Sequence, residues 1–422
     1  MRPQEALVYG SNCRRAKAPG ADLRAEVSVM ARSPALSPCL VKAFSDMAML
    51  GTASVRAPAP AGHSRGALSG DPPAHEGRNA RTLRASWQGA SRHHASSARP
   101  RRTVMPEPGP APLLEADPFS PYDVGTFAGV PRANSANRAH ARAAILGVPF
   151  DTGTNARRIG CRQGPEHIRR SAPPERRFLF HSDRDAISEL KVIDYGNVGV
   201  VPGKVEQAFP AIERAVAAIL AHGTLPVVMG GDGSVSLPQL RAVSGRFPDL
   251  AVVHVDAHTD AFDVPGAGPY TTSTTFLRAE EEGLVDRESV IHIGPRGLGI
   301  ATGGTASAVA ADGHRVIDSD EFCARGPAAV ADDVAAMLGG RPVYLCWDMD
   351  FFDPSAAPGV ASPEWGGPDV RSALSFLRLL WRLDIVHVDV NTVSPPHDLH
   401  ETTGNLAARV IFECLDLAAS RP

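Results

Sequence analysis

From about residue 143 onward, short β-branched apolar runs alternate with amphipathic stretches. The runs predict strands near 143–148, 190–194, 225–229, 251–256, 289–294, 314–318, 342–348 and 384–390. The clearest intervening helix is predicted over 205–222. There Val205, Phe209, Ile212, Val216 and Ile219 recur at three- and four-residue steps, and Gly223 stands at the stop position. Apolar runs without polar alternation suit strands covered on both faces. Strand–helix alternation of this kind predicts an α/β fold: a three-layer α/β/α domain around a mainly parallel sheet of about eight strands.

The first 104 residues are different. They hold 16 Lys+Arg against 6 Asp+Glu, whereas the remainder holds 27 against 40, so an overall net charge of −3 conceals a basic and an acidic piece. The basic piece is rich in Arg, Ala, Ser and Pro and shows no helical or strand periodicity, so it predicts a disordered segment over 1–104. A polyanion-binding arm and an organellar transit peptide both match its composition. The favoured expectation is a start assigned too far upstream, with the domain over 105–422. At 43% apolar residues the chain as a whole is of globular composition. Its charge balance gives no reason to expect nucleic acid as a partner. No apolar run is long enough to span a membrane. Six scattered cysteines without a C-x-x-C pair argue against a disulfide framework and fit a reducing, cytoplasmic setting.

Candidate chemistry lies at two predicted strand ends. One reads His254-Val255-Asp256-Ala257-His258-Thr259-Asp260, the other Cys346-Trp347-Asp348-Met349-Asp350. Residues two apart on a strand share a face. Asp256 with His258, and Asp348 with Asp350, can therefore form two claws, and Asp260 can reach back from its loop. Such carboxylates repel one another unless they are protonated or share a cation. Oxygen ligands with one imidazole favour Mn²⁺ or Mg²⁺ over zinc.

Asp256-Ala257-His258-Thr259-Asp260 resembles the D-A-H-x-D signature of the ureohydrolase family, which includes arginase and agmatinase. Asp348-Met349-Asp350-Phe351-Phe352-Asp353-Pro354, with Ala357-Pro358-Gly359, resembles that family's second signature. The resemblance extends to Gly147–Asp151, Gly164–Arg169, Asp194–Asn197, Gly230-Gly231-Asp232 and Ser394–Asp398, and is closest to agmatinase-like members. It implies an arginase-like fold and Mn²⁺-dependent hydrolysis of a guanidino C–N bond, the nearest reaction being agmatine to putrescine and urea. Asp256 and Asp348 would bridge two ions, with His258 and Asp350 completing one site and Asp260 the other. It also implies a trimeric or hexameric homo-oligomer.

Three positions depart from the family pattern. Gly233 stands where G-G-D-H-S supplies a His ligand, which weakens the second ion's site and allows one ion or two. Thr272 replaces the His of H-G-T-x-F, and Thr392 replaces the Glu of V-E-V-x-P. Thr392 and its neighbour Asn391 become the candidate substrate-binding residues, and no catalytic acid or base is assigned. His387, His397 and His400 are candidates to stand in, and His254 is expected to pack behind the cluster. Glu364 and Trp365 are candidates for the entrance. The alternative expectation is a catalytically silent member serving as a scaffold or partner subunit. An altered reaction on a neutral substrate is a third.

Overall fold

The computed structural model describes Phe119 and residues 125–153, 157–298 and 305–421. The predicted basic segment over 1–104 lies outside these residues. Eight strands form one sheet: β1 (Ala143–Gly147), β2 (Ile193–Asn197), β3 (Leu225–Met229), β4 (Ala251–Val255), β5 (Val290–Ile293), β6 (Arg315–Ile317), β7 (Pro342–Asp348) and β8 (Asp384–Asn391). Their order is β2-β1-β3-β8-β7-β4-β5-β6, and every pairing is parallel.

Parity along the strands builds the layers. Ala251, Val253 and Val255 of β4, with Leu345 and Trp347 of β7, enter one apolar cluster. Val252, Tyr344 and Cys346 enter the other. The first cluster is closed by α1 (Gly164–Arg170), α2 (Ala186–Leu190), α7 (Ser319–Leu338), α8 (Val370–Leu379) and α9 (Thr402–Ala419). The second is closed by α3 (Val205–Leu220), α4 (Ser236–Arg246), α5 (Thr275–Glu281) and α6 (Ala306–Ala311). Both faces of the sheet are therefore buried, as the unbroken apolar runs require.

One strand prediction shifts. Leu190 ends α2 rather than opening β2. Asp185 caps α2 by accepting from the Ser188 N–H at 3.2 Å, and Lys191 leaves it with φ 51°. A five-residue helix is too short to show its period, so its last apolar residue reads as the start of the strand that follows. The predicted helix over 205–222 ends at Leu220. Two of the motif segments prove to be one buried clamp. Arg169 of α1 donates to both oxygens of Asp194, at 3.0 and 2.9 Å, and to Asn197 Oδ1 at 2.7 Å.

The four central strands, β3, β8, β7 and β4, present their carboxyl ends side by side. In parallel sheets ligands gather there. Among the described residues no helix is long and apolar enough to cross a membrane.

Candidate metal centre

Asp256 follows β4 directly, and Asp348 ends β7, the neighbouring strand. Each sequence segment then turns back on itself. Asp256 Oδ1 accepts from the His258 N–H at 2.6 Å, and Asp348 Oδ1 accepts from the Asp350 N–H at 2.7 Å. The Ala257 N–H donates to Asp350 Oδ1 at 3.1 Å, which ties the two turns together. His258 Nδ1 lies 3.1 Å from Asp256 Oδ1 and 3.2 Å from Asp350 Oδ2. The structure thus brings together the ligand atoms of Asp256, His258 and Asp350, all within 4.8 Å of one another. Asp260 converges with Asp256 and His254 to the same tolerance.

All four aspartates are buried. Burial and the neighbouring Asp256 push the Asp260 carboxyl well above the usual range, and burial with Asp256 and Asp350 does the same to Asp348. Asp350 is raised by burial and by Asp256. Burial opposes charge on Asp256 and His258 too, but their own contacts prevail. His254 and His258 hold Asp256 well down, while Asp350 and Asp256 push His258 well up. Arg158 and Arg296, though nearby, spend their donors on backbone. Arg158 reaches Val360 O at 2.8 Å and Pro358 O at 2.6 Å, and Arg296 reaches Asp350 O at 2.7 Å and Glu364 O at 2.9 Å. Four crowded carboxylates and one imidazole, with oxygen in the majority, fit a hard divalent cation such as Mn²⁺.

A cavity of about 900 Å³ opens over the cluster. His258, Asp260, Asp348, Asp350, Thr272 and Thr392 line it, and Glu364 and Trp365 stand at its wall. Asp256 is buried and is not on the cavity wall. Asp232 also lines the cavity, but both its oxygens are occupied: Thr152 N–H and Oγ1 donate to Oδ2 at 2.7 Å each, and Ser234 N–H donates to Oδ1 at 3.2 Å.

The departing positions acquire geometry. A Cβ built on Gly233 would lie 2.8 Å from Asp260 Oδ2 and 2.6 Å from the Thr272 methyl. Position 233 therefore faces Asp260, and Thr272 fills the space a side chain there would need. Thr392 adopts φ 63° and Asp260 φ 47°. For a β-branched residue a left-handed backbone is an outlier of the kind concentrated at functional sites. Thr392 Oγ1 donates to Asp348 Oδ1, and its N–H donates to Gly231 O at 2.8 Å.

Asn391 does not line the cavity. As the last residue of β8 it shares the parity of Asp389, and its amide donates to Asp389 Oδ2 at 3.3 Å and Ser236 Oγ at 3.2 Å, inside the second layer. The stand-in histidines are also absent from the cavity wall. His387 is fully buried, stacked on Tyr344 at 4.6 Å with Nε2 2.8 Å from Gln239 Oε1. His397 is half-buried and His400 exposed. Arg296 gives no signal in the sequence; half-buried in the turn after β5, it donates to the backbone of two other loops.

Comparison with known proteins bears on family and fold. The Arginase family profile matches residues 141–416. Guanidinopropionase of Pseudomonas aeruginosa is 37% identical over 308 residues, covering 72% of this chain and 96% of that protein. Guanidinobutyrase of the same organism is 36% identical over 273 residues, covering 65% of this chain and 85% of the relative. Among solved structures, proclavaminate amidino hydrolase from Streptomyces clavuligerus superposes with a TM-score of 0.65 at 30% identity, covering 71% of this chain and 98% of that one. Profile match, relatives and fold leave one assignment: the chain belongs to the arginase family.

Proposed function

We propose that this protein hydrolyses a guanidino C–N bond, releasing urea and an amine, with Mn²⁺ held by Asp256, His258, Asp348 and Asp350 and more weakly by Asp260. The observation that carries the reading is the convergence of Asp256 with His258, Asp350 and Asp260, with Asp348 lining the same cavity. A bound divalent ion supplies Lewis-acid chemistry and makes a nearby water acidic enough to attack at neutral pH. The chain's own part is to position. Ala257 N–H fixes Asp350, Thr392 Oγ1 fixes one oxygen of Asp348, and the cavity receives a planar cationic group beside these anions.

The relatives named above act on guanidinopropionate- and guanidinobutyrate-type compounds by their names, and the mitochondrial agmatinase of Gallus gallus, 34% identical over 273 residues, on agmatine. Substrate class follows from them only as far as the guanidino group. Thr392 offers a hydroxyl and no charge, so the acidic cluster itself is left to attract the guanidinium.

The test pairs metal analysis with urea release. Full-length protein should carry Mn²⁺ and release urea from at least one of 3-guanidinopropionate, 4-guanidinobutyrate and agmatine above a blank containing the metal alone. Bound Mn²⁺ without turnover on any guanidino compound would return the scaffold reading. Absence of both would remove the metal centre itself.

A further inference from the structure

The side chains at the end of β8 switch layers. Val388 and Val390 enter the first apolar cluster. Asp389 and Asn391, between and after them, turn to the second layer, where Tyr344 and Cys346 lie. Continued alternation would send residue 393 to the second layer as well. Val393 instead belongs to the first cluster and forms a bridge with Val360. The switch falls on Thr392, with its φ of 63°. Its backbone is tied on both sides: the N–H donates to Gly231 O at 2.8 Å, and the carbonyl accepts from the Ala361 N–H at 3.2 Å. Held in this way, its hydroxyl donates to Asp348 Oδ1.

Asn391 is the fixed point before the switch. Three acceptors surround its buried amide nitrogen: Ser236 Oγ at 3.2 Å, Asp389 Oδ2 at 3.3 Å and Cys346 Sγ at 3.6 Å. Asp389 Oδ2 is the hub of this group. It also accepts from Ser236 Oγ at 2.5 Å and from Tyr344 Oη at 2.9 Å. Tyr344 and Cys346 come from β7, and Ser236 opens α4, so the amide is gripped from three elements. Its oxygen, by contrast, has no hydrogen-bond partner. A buried polar atom left unpaired is costly, and so is a β-branched residue at positive φ. The two costs fall on adjacent residues, and both positions depart from V-E-V-x-P, where an apolar residue precedes the Glu. An apolar side chain at 391 would fill the space, but burial is non-directional and sets no rotation of the chain. Hydrogen bonds to three elements do.

We propose that Asn391 is a positioning residue for the carboxylate cluster: its amide, clamped by Asp389, Ser236 and Cys346, fixes the end of β8 so that Thr392 stays left-handed and its hydroxyl stays on Asp348. Thr392 then joins two anchored neighbours that face opposite layers, Asn391 in the second and Val393 in the first. Asn391 acts on the cluster through this one neighbour, from outside the cavity wall. The inference rests on the metal-centre reading only where Mn²⁺ is measured; the placement of Thr392 is read without it.

Asn391→Leu removes the amide at closely similar size. In a crystal structure of the full-length, metal-free variant, Thr392 should leave positive φ and its hydroxyl should lie beyond hydrogen-bonding distance of Asp348. Mn²⁺ affinity, measured by isothermal titration, should fall about tenfold, the effect of losing a group that orients a ligand. Thr392→Val should lose about as much, and Asn391→Leu/Thr392→Val no more than either alone, because both act through one hydroxyl. In a Thr392→Gly background positive φ carries no penalty and no hydroxyl remains to be aimed. Adding Asn391→Leu there should change Mn²⁺ affinity by less than about twofold, whereas a residue that merely held the sheet together would weaken binding in every background. Losses that multiply to about a hundredfold in the double variant overturn the proposal. So does an Asn391→Leu structure in which Thr392 has not moved. Should Asn391→Leu not fold, Asn391→Ala takes its place in the same structure determination and the same cycle. If no form binds Mn²⁺, the metal-centre reading fails, while the placement of Thr392 in the variant still decides this one.

Discussion

The two halves of the carboxylate cluster treat their charge differently. On one side, Asp256 and Asp350 are gripped by protein donors: His254, the His258 N–H, the Ala257 N–H and the His258 ring. On the other, no donor side chain among the described residues reaches the Asp260 carboxylate, and the position facing it is Gly233. The first half is a preformed site whose ligands hold their geometry without help. The second presents a buried anion to a position, 233, that offers no side chain. A buried carboxylate is therefore not in itself evidence of a complete metal site; its remaining partners decide how firmly an ion is held.

Removing a carboxylate of the proposed centre should give the largest effect. Asp348→Ala deletes the carboxylate that accepts from the Asp350 N–H and from Thr392 Oγ1. Urea release should fall by about 10³-fold or more, since ion-borne transition-state stabilisation is worth several kcal/mol. Mn²⁺ content, measured by inductively coupled plasma mass spectrometry, should fall with it. Full metal content in a folded Asp348→Ala protein would place the ion elsewhere.

Repairing the weak half comes next. Gly233 has no left-handed backbone, so a side chain is conformationally admissible there, but its Cβ would press on the Thr272 methyl at 2.6 Å. Gly233→His alone should gain little. Paired with Thr272→Gly, it should raise affinity for a second Mn²⁺ about 10–100-fold, the scale on which single contacts tune metal sites. Isothermal titration distinguishes the outcomes. An equal gain from the single variant would mean that Thr272 does not obstruct, and no gain from either would mean that Asp260 lies too far from any ion to share it.

How much of this could be read from the chain depends on the range of each interaction. Asp256, His258, Asp348 and Asp350 announce themselves because period-two strands place their claws locally, and the order of β4 and β7 then makes the claws neighbours. The strand positions were equally legible, since both faces of the sheet are apolar. Asn391 is misleading because, as the last residue of β8, it shares a face with Asp389 and turns into the second layer, while Thr392 just beyond the strand lines the cavity. His292 and His314 gave no signal at all. Each looks like an isolated histidine until the register of β4 with β5 and the placement of β6 align them behind Asp256. The short helix α2 was invisible for want of a second turn.

Thr392 refines the comparison further, because it serves the strong half from an unfavourable backbone. Thr392→Val keeps the shape and φ demand but deletes the hydroxyl that donates to Asp348. Mn²⁺ affinity should drop about tenfold with little change in unfolding midpoint. Thr392→Gly should lose the same hydrogen bond yet relieve the φ of 63°. If both variants bind Mn²⁺ like the wild type, the hydroxyl does not position Asp348 and its geometry at φ 63° has another cause.

The smallest effect concerns a carboxylate that has every donor it can use. Asp398 accepts from the Thr403 N–H at 2.9 Å and the Gly404 N–H at 3.0 Å, at the start of α9, and lies 2.8 Å from His167 Nε2. Arg170 Nη2 lies 3.1 Å from His167 Nδ1 and can only donate, so Nε2 carries the hydrogen that Asp398 receives. Burial opposes the charge on Asp398, but these donors hold its carboxyl far below the usual range. A carboxyl whose folded pKa is depressed adds stability above its unfolded pKa of about 3.9, and that stability is lost as pH falls toward the folded value. Asp398→Asn should thus cost about 1 kcal/mol near pH 7, the scale of an N-terminal cap, seen as a lower thermal midpoint. The gap between variant and wild type should close as the pH drops below about 4. A gap that persists unchanged into acid would show that Asp398 stabilises α9 by shape rather than charge. It would then no longer serve as the donor-saturated counterpart to Asp260.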